Sequence, residues 1–186
     1  MKQSPWLLAG LAVILLGALA GGGRAEAPDS EESQVQQGLA IAPVPLDLHG
    51  KNRALVGLGS YIINAHSECL DCHSCPTFAP GHNPFLGQPK PWVNATNYLA
   101  GGVHFGPFVS ANITPDPNKQ GRPAGLTFKE FRGLMRTGHD PDTGALLQVM
   151  PWPVFANMTD RDLRALYEFL RAIPHAEPGS CSGPGQ

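Results

Sequence analysis

The chain has 186 residues, with 13 Lys and Arg against 15 Asp and Glu, a formal charge of −2 at neutral pH. That length suits one domain, and the acidic balance argues against nucleic acid as a partner, because phosphate binding needs a basic face. Among its 22 glycines and 19 prolines there are few long apolar runs and no alternating strand pattern. An all-α, loop-rich fold is expected.

The N-terminus reads as an export signal. Lys2 supplies a positive start, Trp6 to Ala20 is an uncharged apolar run, and small residues follow. A cut after Gly23-Arg24-Ala25 makes residues 1–25 the signal peptide. Ala25-Glu26-Ala27 also has the A-x-A form, but Pro28 directly after it disfavours that cut. The alternative is an uncleaved membrane anchor, since Pro5 to Gly23 is free of charge and approaches the ~20 apolar residues that span a bilayer. No cysteine lies near this segment, which removes a lipoprotein reading. Either route delivers the body of the protein to the periplasm. Loss of Lys2 and Arg24 with the signal reduces 13 basic residues to 11 against 15 acids, a charge of −4.

Residues 26–48, rich in Glu, Gln, Ser and Pro without periodicity, read as a flexible lead-in. The domain proper is expected over 49–174, with an irregular tail over 175–186. A first helix spans about Lys51 to His66, with Leu55, Leu58, Gly59 and Ile62 on one apolar face. Gly59 is expected to let it approach the last helix closely, near Tyr167 or Leu170.

That helix leads into Cys69-Leu70-Asp71-Cys72-His73, which matches C-x-x-C-H, the attachment pattern for a c-type haem. Two thiols one helical turn apart can each form a thioether to a haem vinyl group, and the adjacent histidine then supplies the proximal iron ligand. Zinc and thiol redox sites also use paired cysteines. Export favours haem, since haem attachment in bacteria follows export, and the βαβ context of a thiol oxidoreductase is missing. The motif occurs once, so one covalently held haem c is expected per chain. Cys75 and Cys181 remain, and in an oxidising compartment two spare thiols invite a disulfide worth ~4 kcal/mol in the chain-entropy model. Free thiols or a link to a partner are the alternatives. Cys75 as a fourth zinc ligand would crowd four ligands into seven residues.

A second helix is expected from Thr127 to Thr137, with Thr127 and Glu130 as a capping box, Phe128, Phe131 and Met135 on one side and Gly138 as its stop. Met150 is the best candidate for the distal iron ligand. It precedes Pro151-Trp152-Pro153, read as unable to form helix or central strand and so suited to an extended loop across a haem face. Met135 reads as core and Met158 as packing at the mouth of the last helix. That helix starts at Thr159 or Asp160, buries Leu163, Leu166, Tyr167 and Leu170, and ends before Pro174. His49, His66, His82, His104, His139 and His175 have no metal spacing with one another.

The haem motif, Asn112-Ile113-Thr114-Pro115-Asp116, Phe131 with Arg136 and Gly138, Met150-Pro151-Trp152-Pro153 and the helix from Thr159 through Leu170 occur in one order. In that order the chain resembles the class I cytochrome c domains of bacterial membrane-bound alcohol and gluconate dehydrogenase cytochrome subunits, over roughly residues 50–174. The resemblance implies helices packed around a covalently bound haem with long connecting loops. It makes Cys69 and Cys72 the thioether attachments and His73 and Met150 the iron ligands. It places Asn112 to Asp116 beside the haem, and Trp152 as a propionate donor or plain pocket lining. Those subunits usually carry three such domains and this chain has one, which favours a small independent carrier.

The expected function is therefore a non-enzymatic periplasmic electron carrier that docks to a dehydrogenase, an oxidase or another cytochrome. Methionine ligation raises the potential and closes the iron to substrates. The alternatives are a dedicated haem subunit of a dehydrogenase or oxidase complex, and a haem peroxidase or gas-binding protein, which needs an open sixth position.

Overall fold

Among residues 30–181, which the computed structural model describes, six α-helices carry the fold. They are α1 (Glu31–Ile41), α2 (Arg53–Tyr61), α3 (Cys69–His73), α4 (Phe128–Thr137), α5 (Trp152–Phe155) and α6 (Asp160–Ala172). The export segment, residues 1–25, and the last five residues lie outside the described range. Two antiparallel pairs of two-residue strands punctuate the loops between α3 and α4. They join β1 (His104–Phe105) to β2 (Phe108–Val109) and β3 (Pro115–Asp116) to β4 (Arg122–Pro123). The regular structure of the described residues is mostly helical, with these short strand pairs in the loops.

Helix α2 is the centre of the packing. Asn52 caps it, its Oδ1 accepting from Ala54 N at 3.0 Å and Leu55 N at 3.1 Å. Gly57 and Gly59 are two positions apart, so they point ~200° apart around the helix. Gly57 meets α1, where an added Cβ would stand 2.6 Å from the Val35 carbonyl. Gly38 of α1 completes that contact, since a Cβ there would overlap the Gly57 carbonyl. Gly59 meets α6 on the other side, where a Cβ would overlap the Ala165 carbonyl and stand 2.7 Å from Phe169 Cβ. The expected close approach is present, at Ala165 and Phe169 rather than at Tyr167 or Leu170. Beyond Tyr61 the chain does not continue as α-helix to His66. It widens into a π-turn over Ile62–His66, with Ser67 N donating to Ile62 O at 2.9 Å.

The reading of 26–48 as a flexible lead-in is corrected by α1. Its Glu- and Gln-rich surface hides only Val35 and Gly38, too little to give a visible period. What fixes it is tertiary. The glycine contacts bring its backbone onto α2, and Ser60 Oγ donates to Gly38 O at 2.6 Å. Arg161 of α6 also pairs with Glu31.

Helix α6 is buried almost all round. Leu163, Leu166, Tyr167 and Leu170 are inside as the periodicity predicts, and Ala165 and Phe169 are inside as well because they face α2. Tyr167 reaches the other way, with Phe128 and Phe131 of α4 at ring distances of 5.4 and 5.6 Å. Both long C-terminal helices open on capping boxes, Thr127 with Glu130 and Thr159 with Asp162. Asp160 joins the two, accepting from Arg132 Nε and Arg136 Nη2, each at 2.9 Å. The run Pro151-Trp152-Pro153 is expected to avoid helix, yet Trp152–Phe155 forms a single turn. Proline is tolerated there because the first-turn N–H groups have no intrahelical partner to lose.

This packing sets two expectations. Gly59→Ala should lower unfolding free energy by about 1–3 kcal/mol through overpacking. Gly133→Ala, on α4 with open space around it, should instead stabilise by up to about 1 kcal/mol. Urea unfolding of the two variants checks the contrast. The other expectation concerns acid. Hydrogen bonds from Arg136 and Arg132 hold the Asp160 carboxyl below the usual carboxylate range. A group depressed on folding contributes fully above its unfolded value, ~3.9, and its contribution is lost as pH falls through the lower folded value. Asp160→Asn should therefore show a shallower loss of stability below about pH 4 in a pH series of thermal melts.

Candidate functional site

The five motif residues form the single turn α3, reached from the π-turn through Ser67, in extended conformation, and Glu68. Cys69 and Cys72 sit one turn apart, both unbonded and partly buried, while Cys75 is joined to Cys181 with a Cα separation of 5.7 Å. The pairing thus leaves the two motif thiols available. Cys69 Sγ lies 3.1 Å from Ser67 Oγ. Burial pushes the Cys69 thiol pKa up, with Cys72 adding to the effect and Ser67 opposing it. Burial also raises Cys72, helped by the negative charge of Asp71 and Glu68. Both shifts run opposite to the thiolate activation that a dithiol oxidoreductase needs.

His73 ends the turn. Its Nδ1 lies 2.8 Å from the carbonyl oxygen of Ala111. A carbonyl can only accept, so Nδ1 carries the proton and Nε2 is the lone-pair nitrogen. This is the arrangement that fixes a ligating histidine in one tautomer. Burial pulls the imidazole pKa down and the Ala111 bond only partly opposes it, so the neutral, ligating form is favoured.

The loop that brings Ala111 to His73 depends on Gly101. Its backbone has φ +75°, and an added Cβ would stand 2.5 Å from the Ala111 and Ser110 carbonyls. Its N–H donates to His73 O at 2.6 Å. Ser74 Oγ accepts from Leu99 N at 2.9 Å, and Tyr98 OH donates to Asn64 Oδ1 at 2.6 Å. The next stretch is an Asx turn, with Asn112 Oδ1 accepting from Thr114 N at 2.9 Å and from Thr114 Oγ1 at 2.6 Å. Asn112 to Asp116 thus starts one residue after the His73 acceptor. Sequence reasoning missed Ala111 because any residue type can offer that carbonyl. The Gly101-Gly102 pair was the one visible trace.

Met150 comes from a separate span held at both ends. At its start Gly138, with φ +69°, lies under the Trp152 ring so closely that a Cβ would overlap it, and Gly138 O accepts from Leu147 N at 2.8 Å. At its end Arg136 donates to the Ala156 carbonyl and to Asp160. Met150 is half-buried and packs on the same apolar core as Cys69 and Leu70. Met135 is 4% exposed within that core, and Met158 packs against it from the mouth of α6. Trp152 Nε1 has no acceptor among the described residues.

The donor set fits a covalently held haem. It offers two free thiols one turn apart, a neutral imidazole with its outer nitrogen already bonded, and a thioether on a braced loop. It does not fit a zinc cage, since among the described residues no three His, Cys, Asp or Glu side chains converge on a common point.

Sequence comparison agrees with this chemistry. The chain is 31% identical over 123 residues to the cytochrome c subunit of the quinone alcohol dehydrogenase of Gluconobacter oxydans (strain 621H), a match covering 64% of this chain and 21% of the relative. It is 32% identical over 148 residues to the corresponding subunit of Gluconacetobacter polyoxogenes, covering 76% of this chain and 26% of that one. Against the gluconate 2-dehydrogenase cytochrome c subunit of Pantoea cypripedii it is 31% identical over 119 residues, covering 64% and 23%. The chain therefore spans roughly a fifth to a quarter of the length of these relatives. No family model and no solved structure matches it. Over about two thirds to three quarters of its length, this chain is similar to the cytochrome c subunits of alcohol and gluconate dehydrogenases.

Proposed function

We propose that the chain is a periplasmic mono-haem c-type cytochrome that carries single electrons between redox proteins and catalyses no reaction of its own. The observation that carries this reading is α3, where Cys69, Cys72 and His73 share one turn and the Ala111 carbonyl leaves His73 Nε2 free. A haem bound there supplies a one-electron iron couple. Cys69 and Cys72 would hold it to the backbone, and His73 and Met150 would be its iron ligands. The Nδ1 proton of the half-buried His73 is engaged by the Ala111 carbonyl, so electron exchange would need no proton movement at this residue. The Met150 thioether raises the potential and excludes small ligands.

The partners under this reading are a dehydrogenase, an oxidase or another cytochrome, met through transient docking. Residues 1–25 direct export, and the protein is either released or held at the membrane by the same apolar segment. No helix among the described residues is long and apolar enough to cross a membrane. A second reading, a dedicated haem subunit of a dehydrogenase complex, is favoured by one observation. The relatives are named as cytochrome c subunits of dehydrogenases. Purification from the native host separates the two, since a carrier elutes alone and a subunit elutes with its enzyme.

The spectrum tests the ligand set. The mature protein should show a low-spin c-type haem that stays with the polypeptide on acid extraction. Met150→Ala should lose the weak methionine-to-iron charge-transfer band and gain carbon monoxide binding in the reduced state. Survival of that band in Met150→Ala, with its loss in Met158→Ala, would assign the distal ligand to Met158 instead.

A further inference from the structure

The run from Pro174 to Cys181 contains no helix, yet it is tied residue by residue to the loop that holds His73. His175 Nδ1 lies 2.9 Å from Pro115 O and 3.3 Å from Thr114 Oγ1. Ala176 O accepts from Asn112 Nδ2 at 2.8 Å, and Ala176 N donates to Thr114 Oγ1 at 3.3 Å. Glu177 O accepts from Asn97 Nδ2 at 2.8 Å. Gly179 lies so close to Cys75 that a Cβ would overlap the Cys75 carbonyl. Cys181 is bonded to Cys75, two residues past His73, and bridges to Val103.

Ala111 sits inside this clasp. On one side Ser110 O accepts from Gly102 N at 3.0 Å and Ser110 N donates to Val103 O at 2.9 Å. On the other, Asn112 uses its amide in both directions: Oδ1 closes the Asx turn and Nδ2 grips the strap. The strap is thus anchored at Asn112, beside Ala111, and at Cys75, two residues past His73.

We propose that the strap of residues 174–181, acting through Asn112 and the Cys75–Cys181 bond, holds the Ala111 carbonyl on His73 Nδ1 and so lowers the reduction potential set at His73. The physical link is the hydrogen bond itself. A carbonyl accepting from Nδ1–H makes the opposite nitrogen a stronger donor, which favours the oxidised iron. Letting Ala111 drift weakens that donation and favours the reduced form. Asn112 is a positioning residue on this account, and the inference rests on the haem reading above.

The test uses the full-length holoprotein with Asn112→Ser and the double variant Cys75→Ser/Cys181→Ser. Asn112→Ser keeps a hydroxyl for the turn but removes the amide that reaches the strap, and neither variant adds charge. Both variants should retain one covalent haem and a low-spin spectrum. Both should shift the reduction equilibrium about threefold to tenfold toward the reduced form, tenfold being ~59 mV for one electron. Unchanged potentials with haem retained overturn the proposal, because a purely structural strap would lower stability alone. A shift in Asn112→Ser only overturns the part given to the disulfide. Should the double variant fail to fold, the potential of Asn112→Ser decides, raised in support and unchanged against. A wild-type protein without covalent haem overturns the haem reading itself and is told apart by the pyridine haemochrome assay.

Discussion

Close backbone contact through Gly38, Gly57 and Gly59 is the constraint on which the rest of the molecule depends. These positions bring α1, α2 and α6 nearer than any side chain allows, and α2 leads into the turn that bears Cys69, Cys72 and His73. A helix touched on both sides by neighbouring carbonyls cannot roll to accommodate a badly placed ligand. The motif is therefore presented by a support that is stiff before any cofactor contributes.

The opposite side of the site is made differently. Between α3 and α4 the chain has almost no regular structure, only two short strand pairs and three-residue turns. Its order comes from polar groups used economically, Ser74 on Leu99, Asn94 on Pro76 and Asn97, Asn112 on Thr114 and Ala176. Among the described residues no buried side-chain nitrogen or oxygen lacks a partner. Such satisfaction is what lets loops serve in place of a sheet, because an unpaired buried polar group costs more than the average hydrogen bond returns.

How much of this was legible beforehand differs by cause. The α4 and α6 boundaries were readable because capping residues and apolar spacing are local signals, and Thr127, Glu130 and Gly138 each act in place. That Cys69, Cys72 and His73 would share one turn was readable because the C-x-x-C-H spacing is itself a local signal. Helix α1 was not, since it hides only two residues and is held by contacts formed with chain far away. Ala165 and Phe169 were missed for a related reason. They lie off the main stripe of α6 and face α2 at Gly59, Phe169 also meeting the Tyr98 ring. The Trp152–Phe155 turn was misread because two prolines look forbidding until their first-turn position is known.

The π-turn Ile62–His66 gives the glycine lock one more property. It lodges one residue more than an α-turn would, and one residue corresponds to ~100° of rotation about a helix axis. Gly57 and Gly59 set the angular phase of the chain before that turn. After it the chain leaves helical geometry at Ser67, whose backbone is extended, so α3 takes a direction that the phase of α2 does not dictate. The glycines stay seated against α1 and α6 while the motif turn keeps an orientation of its own.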